Sequence, residues 1–273
     1  MIRFLLLFVL FLGSATTGAR EAPLWEAGAG VFGMRLPDYR GANEYRNYLL
    51  PFPYLVYRGD LLKVDRRGAT GVLYRDPKSE LDLTLNAANP VNSSKNEARA
   101  GMPNLDPTIE LGPRFKYNLA ASRADAYELS LQLPVRGVIT LSGHPHTIGI
   151  LANPLVNLDL GRALPGGWSL GLQAGPLFAD RSYHKYYYEV DPRYATATRP
   201  EYRARAGYSG TQFTIATSKR YRRVWVGAFV RAYDLHGAAF EDSPLVRSKS
   251  AVQAGIGVAY VFAESSTMVE ADD

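Results

Sequence analysis

Glu80-Leu81-Asp82-Leu83-Thr84-Leu85-Asn86 alternates without a break between polar and apolar side chains. In an extended chain successive side chains point to opposite faces, so three leucines share one face and four polar groups the other. The pattern recurs along the chain. Tyr127, Leu129, Leu131, Leu133 and Val135 oppose Glu128, Ser130, Gln132 and Arg136. Ile109, Leu111, Phe115 and Tyr117 oppose Thr108, Glu110, Gly112, Arg114 and Lys116, and Trp168, Leu170 and Leu172 oppose Ser169, Gly171 and Gln173. Near the end, Val252, Ala254, Ile256, Val258, Tyr260 and Phe262 oppose Gln253, Gly255 and Gly257.

A sheet patterned this way meets a different solvent on each face. A soluble sandwich also alternates, but its strands average ~5–6 residues. Several stretches here run to the ~9–11 residues that a tilted strand needs to cross a bilayer. The fold class expected is therefore all-β: an antiparallel transmembrane β-barrel. Its strands are expected near 25–35, 47–58, 61–66, 69–75, 79–88, 106–118, 126–137, 147–161, 167–178, 207–220, 223–236 and 248–262, twelve in all, with ten as the alternative count. Aromatics near strand ends (Trp25, Tyr57, Tyr117, Tyr127, Trp168, Tyr260, Phe262) suit interfacial girdles. Glu80, Asp82, Glu110, Arg114, Lys116, Glu128 and Arg136 fall on the inward face, where opposite charges would balance one another as a polar ladder.

Connection lengths agree with such a barrel. Five connections, from Arg58-Gly59-Asp60 to Tyr221-Arg222, are short, whereas 36–46, 89–105, 138–146, 179–206 and 237–247 are longer. Short turns at the periplasmic end and long loops outside are the expected asymmetry. Arg67-Gly68 breaks the pattern, because the strands beside it look too short to span; they could instead be one kinked strand.

The chain has 273 residues and a formal net charge of +5, with no cysteine. That excludes disulfides, thiolate catalysis, Cys-based metal sites and a bacterial lipid anchor. Met1-Ile2-Arg3, the apolar run Phe4 to Leu12 and the small residues Thr17-Gly18-Ala19 read as a secretory signal peptide cleaved after Ala19. The expected organisation is thus a signal peptide at 1–19, a barrel over 20–262 and an acidic tail at 263–273, carrying Glu264, Glu270, Asp272 and Asp273 and read as a disordered overhang. Export from a Gram-negative cytoplasm to the outer membrane makes outer-membrane lipid the first expected partner. No nucleic-acid partner and no cofactor are expected.

Several motifs are decoys. Gly28-Ala29-Gly30-Val31-Phe32-Gly33 spells a dinucleotide fingerprint, but that motif works only between a strand and a helix N-terminus. Arg58-Gly59-Asp60 is an ordinary turn composition. No serine has a nucleophile-elbow context; Gly207-Tyr208-Ser209-Gly210 comes nearest, and His236 could meet Ser209 or Ser243 only through the fold. His144-Pro145-His146 lacks an acidic third ligand for a metal. No catalytic, cofactor-binding or metal residues are therefore expected.

The 179–206 segment is the richest. Loops of such length without regular structure are commonly functional or disordered. Its Tyr183, Tyr186, Tyr187, Tyr188, Arg193, Tyr194, Arg199 and Tyr202 suit either a recognition surface or a lid packed over the barrel mouth.

Tyr183-His184-Lys185-Tyr186-Tyr187-Tyr188-Glu189-Val190, Ala195 to Tyr202 and Gly207-Tyr208-Ser209-Gly210 resemble the MipA/OmpV family of outer-membrane proteins. So do Arg99 to Leu105, Glu110-Leu111-Gly112-Pro113, Gly175 to Arg181, Leu235-His236-Gly237-Ala238 and Asp242 to Val246. The resemblance covers roughly Trp25 to Phe262. It implies a non-enzymatic outer-membrane scaffold linking a murein hydrolase to a murein synthase, a penicillin-binding protein, in peptidoglycan metabolism. Other relatives are porin-like, adhesive or immunogenic, so a small-solute channel is the alternative and a lipid-modifying barrel enzyme a third reading. The family offers no catalytic residues to carry over.

Overall fold

The computed structural model describes residues 21–59, 62–65, 68–122, 126–141 and 143–270. The expected signal peptide, the tips Asp60 and Arg67, and the last three tail residues lie outside them. Fifteen strand segments follow in order: β1 (Glu21–Pro23), β2 (Trp25–Pro37), β3 (Tyr45–Arg58), β4 (Leu62–Asp65), β5 (Gly68–Arg75), β6 (Ser79–Ala88), β7 (Thr108–Ser122), β8 (Tyr127–Thr140), β9 (Thr147–Ala152), β10 (Leu155–Leu164), β11 (Trp168–Ala179), β12 (Gly207–Tyr221), β13 (Val224–Asp234), β14 (Ser250–Glu264) and β15 (Met268–Glu270). One α-helix, α1 (Arg181–Tyr188), and short 3-10 turns at Ser93–Lys95, Glu97–Arg99 and Pro192–Tyr194 lie in the long connections.

Thirteen segments form one antiparallel sheet in the order β10-β11-β12-β13-β14-β2-β3-β4-β5-β6-β7-β8-β9, with further pairings of β10 to β8 and β11 to β9. β9 and β10 are one strand broken at Asn153-Pro154, which makes the count twelve. The sequence pattern predicts a single strand at 147–161; proline has no N–H for the ladder, so the strand breaks there. Asn153 bridges the break, its backbone N–H donating to Pro134 O at 3.1 Å and its side-chain amide to Pro176 O at 2.8 Å. β10 then pairs with β8 from Leu155 opposite Gln132 to Leu160 opposite Tyr127. The last long strand pairs with the first, Val258 opposite Val31.

Burial follows the alternation. The leucine-bearing face is the exposed one: Leu49 is 75% exposed, Ile256 62% and Phe262 60%. On the other face Asp82, Thr84, Ser130 and Asn157 are buried. Gly28 to Gly33 lie in the middle of β2, with no helix after them. At the turn end, in the connection between β10 and β11, Gly166 and Gly167 adopt φ of +77° and +75°, where a side chain would be strained. Trp25, Tyr57, Tyr117, Tyr221, Tyr260 and Phe262 are exposed near that end, and Trp168 meets Tyr221 edge-on with ring centroids 6.3 Å apart.

β4 and β5 are separate antiparallel strands, as the twelve-strand pattern expects, with Leu62 opposite Gly71 and Asp65 opposite Gly68; the alternative of one kinked strand does not hold. One expectation needs correction. The tail is not an overhang: β14 runs on to Glu264, and β15 folds back to pair with β1, Ala22 opposite Val269. Backbone pairing to the first residues of the described chain supplies the order that composition alone did not suggest.

Candidate functional site

The inward face has two chemically distinct halves. One runs along β6, β7 and β8 and contains all seven residues of the expected ladder. Asp82 stands opposite Arg114 in register, and Arg114 grips it through Nη2 at 2.6 Å and Nε at 3.1 Å. Lys116 meets Glu128 at 2.6 Å, Arg136 meets Glu110 at 3.6 Å and Thr84 Oγ1 at 3.1 Å, and Glu80 pairs with Arg75 of β5 at 2.7 Å. Asp82 is wholly buried, so its charge requires the guanidinium beside it. The polar face continues onto β10, β11, β12 and β13. Gln173 donates to Asn157 at 2.9 Å, Asn157 donates to Asp159 at 2.8 Å, and Arg231 donates to Thr214 at 3.0 Å. At the turn end Glu26 sits between Arg58 (2.9 Å) and Arg220 (3.0 Å). Each of these shares inward parity with its strand; that signal was present in the sequence.

The other half is aromatic. Phe32 of β2 lies parallel to Phe229 of β13 at 6.0 Å and edge-on to Phe52 of β3 at 6.2 Å. Trp225 lies 6.4 Å from Phe52 and 5.8 Å from Tyr54. These rings occupy the space above Gly255, Gly257 and Gly227. A Cβ at Gly257 would come within 2.4 Å of the Phe32 ring, so the rings need glycine beneath them.

At the long-loop end the connections fold into a lid. Its core joins Tyr39, Val91, Leu105, Tyr183, Tyr188, Leu235 and Phe240 to the inward-facing Val138, Leu177, Tyr233 and Ala251 of the strand ends. The 179–206 segment opens with a helix, and the remainder is irregular apart from one 3-10 turn. Asp180 caps α1 by accepting the Tyr183 N–H at 2.8 Å, and the helix delivers Tyr183, His184 and Tyr188 to the interior. Tyr188 stacks on Phe240 with ring centroids 3.6 Å apart. Arg40 donates to Tyr183 Oη at 2.8 Å and lies over the Tyr233 ring. Arg199 is buried and holds four carbonyl contacts, to Ala98, Ala100 and twice to Tyr194. Tyr186 accepts the Asp106 N–H at 2.7 Å, and burial pushes its hydroxyl up to about 12. Tyr187 and Tyr194 are half-buried; Tyr202 donates to Ala239 O at 3.1 Å. Of the eight expected recognition residues, Arg193 alone is exposed, 3.4 Å from Asp191.

The histidines sort differently from the expectation. His236 pairs with Asp234 at 2.5 Å, and Ser243 donates to Tyr188 O, so His236 meets neither Ser209 nor Ser243. His184 is the partner of Ser209, with Nε2 2.6 Å from Oγ, and its Nδ1 faces Arg205 O at 2.5 Å. A carbonyl cannot donate, so Nδ1 carries the proton and the neutral Nε2 accepts from the serine. Burial also lowers the His184 pKa. Both residues are 0% exposed, so the pair is packed as a structural contact. Among the described residues no acid-histidine cluster could hold a metal ion.

Among solved structures the chain is similar to an outer membrane channel from Pseudomonas putida F1, at 13% identity and a TM-score of 0.43, covering 91% of this chain and 100% of that one. It is also similar to the beta domain of the Bordetella autotransporter BrkA, at 12% identity and a TM-score of 0.39, covering 88% and 100%. A bacterial polysaccharide outer membrane secretin gives 8% identity and a TM-score of 0.42, covering 87% and 99%. Comparison with curated proteins gives no match. The family model described as MltA-interacting protein MipA matches residues 28–262, nearly the whole of the large antiparallel sheet and the lid. The chain belongs to the MipA family.

Proposed function

We propose that this chain is a non-enzymatic outer-membrane β-barrel that acts as a scaffold in peptidoglycan metabolism. A signal peptide cleaved after Ala19 exports it from a Gram-negative cytoplasm. Twelve strands close in the outer membrane, with the turn end toward the periplasm and the lid outside. The family's name speaks for a murein hydrolase as one partner; a penicillin-binding murein synthase is the second. The observation that carries this reading is the lid. Its tyrosine core fuses the long loops to the inward strand ends, which favours a fixed body over an open conduit. Partners from the cell wall would meet the turn end, where β1 and β15 add a short ribbon to the ring. A pull-down from gently solubilised envelopes is expected to recover a wall hydrolase together with a synthase. Recovery of neither, with the barrel still folded, overturns the scaffold.

A small-solute channel is the second reading, favoured by the ionised face of β6 to β8. Planar-bilayer recordings that show discrete conductance steps, altered by Arg114→Ala or Arg136→Ala, would put the channel ahead of the scaffold. Lipid-modifying activity has the buried His184–Ser209 pair as its sole support. Ser209→Ala and His236→Ala are both expected to leave envelope lipids unchanged.

A further inference from the structure

The ring has an incomplete wall on one side. β3 pairs with β4 only at Tyr57 opposite Val64 and Arg58 opposite Lys63, among the described residues. On β6 the pairing with β5 ends at Thr84 opposite Thr70. Among the described residues, the facing edges from Tyr45 to Val56 on β3 and from Leu85 to Ala88 on β6 have no neighbouring strand. The wall lacks two strand widths there, ~10 Å at the usual ~4.8 Å spacing. The gap is bounded at the turn end by the β4–β5 hairpin. At the lid end a strap crosses it: Asn96 donates to Asp38 (2.9 Å) and Glu44 (3.0 Å), the Glu97 N–H donates to Glu44 (2.8 Å), and Arg46 holds both Asp38 and the Lys95 carbonyl.

The β3 edge is adapted to having no partner. Arg58 N–H donates toward the β2 side, to Leu24 O at 2.8 Å. Amide directions alternate along a strand, so positions 51, 53 and 55 point into the gap. Pro51 and Pro53 hold two of these positions and have no N–H to leave unpaired. The same prolines prevent a further strand from adding to this edge, which excludes a β-strand partner. Leu49, Leu55 and Leu85 along the rim are exposed. The inward-facing Leu50 and Asn86 beside the gap are exposed as well, whereas Asp82 and Thr84, further along β6, are buried. Behind the gap lies the aromatic half of the interior, with Phe52 and Tyr54 on β3 itself.

We propose that the gap is a lateral portal through which the apolar chain of a lipid amphiphile passes from the bilayer to the aromatic face inside. The β3 side of the gap from Asn47 to Val56 carries no charge, and behind it Phe32, Phe52, Trp225 and Phe229 give an alkyl chain a surface to bury against. This inference rests on the membrane reading above, and the test separates the two. The full mature chain is reconstituted in phosphatidylcholine vesicles doped with a phospholipid carrying a diazirine at the acyl terminus. After illumination, adducts are mapped by mass spectrometry.

Adducts are expected on the outward Leu49, Leu55 and Ile256, and also on the inward Phe52, Tyr54 or Trp225 at a tenth or more of the outward yield. Inward residues of the continuous wall, Ser130 and Gln173, are expected to remain unlabelled. Leu50→Arg at the rim is expected to reduce the inward yield at least fivefold and leave the outward yield unchanged. Adducts confined to outward residues, or inward adducts undiminished by Leu50→Arg, overturn the portal and leave the membrane reading intact. Unlabelled outward leucines overturn the membrane reading itself. Should Leu50→Arg fail to fold, the unsubstituted map alone decides.

Discussion

The lid and the wall obey opposite burial rules within one chain. In the lid the largest side chains are hidden: Tyr188, Phe240, Leu235 and Leu245 are among the most completely buried residues. In the wall Leu49, Ile256, Val258 and Phe262 face outward, and the carboxylate of Asp82 is concealed. The physics is common to both, since apolar surface leaves water and ions find partners. The surroundings differ. On the membrane reading proposed above, a lid with water outside needs its own apolar core, whereas a wall with hydrocarbon outside keeps its polar groups within.

That contrast can be broken at several points. The largest effect is expected from Phe240→Ala, which removes the ring stacked on Tyr188 and should cost the lid about 3–5 kcal/mol. Protease cleavage within 189–206 should accelerate while the strands stay protected; equal loss of both would mean that lid and wall unfold as one unit. Next comes Ile256→Arg, at the middle of β14, expected to cost about 2–4 kcal/mol in refolding into lipid vesicles. A change below about 0.5 kcal/mol, typical of a water-exposed surface site, would show that the leucine face meets water. Pro53→Ala restores an N–H at the unpaired edge and should cost about 1–3 kcal/mol, read from the urea midpoint in vesicles. Ala27→Gly, on the closed seam beside it, gives the reference for a simple backbone effect. The smallest effect concerns pH. Burial holds the His184 pKa below the ordinary imidazole value, so the unfolded lid takes up a proton more readily than the folded one. Lid stability should be complete above pH ~6.5 and decline as pH falls through that value. Protease sensitivity at 189–206 should rise accordingly, and His184→Gln should flatten the dependence.

Much of the wall was legible because Glu80 to Asn86 and its counterparts alternate charged with branched residues, leaving no doubt about which face is which. The aromatic half was harder. On β2, β13 and β14 the inward positions are Phe32, Phe229, Gly255 and Gly257, as apolar as the outward ones, so alternation there has low contrast. The brevity of 61–75 was visible, yet its meaning lies in the registers of β3 and β6, which no local pattern encodes. In the lid, the helical start at Asp180 was obscured by a run of tyrosines that suits either contact or core. The partnership of Ser209 with His184 depends on how a helix docks against a distant strand, and sequence separation gives no guide to that.

The ribbon of β1 and β15 puts Glu21 opposite Glu270, so the two ends of the described chain lie side by side. Over residues 21–270 the path of the chain therefore returns to where it began. A permuted gene could join residue 270 to residue 21 through a brief linker and open the chain at the 141–146 connection, with every ladder kept. In such a permutant β14 and β2 would be neighbours from synthesis onward, and the order in which the ring is stitched together would become an experimental variable.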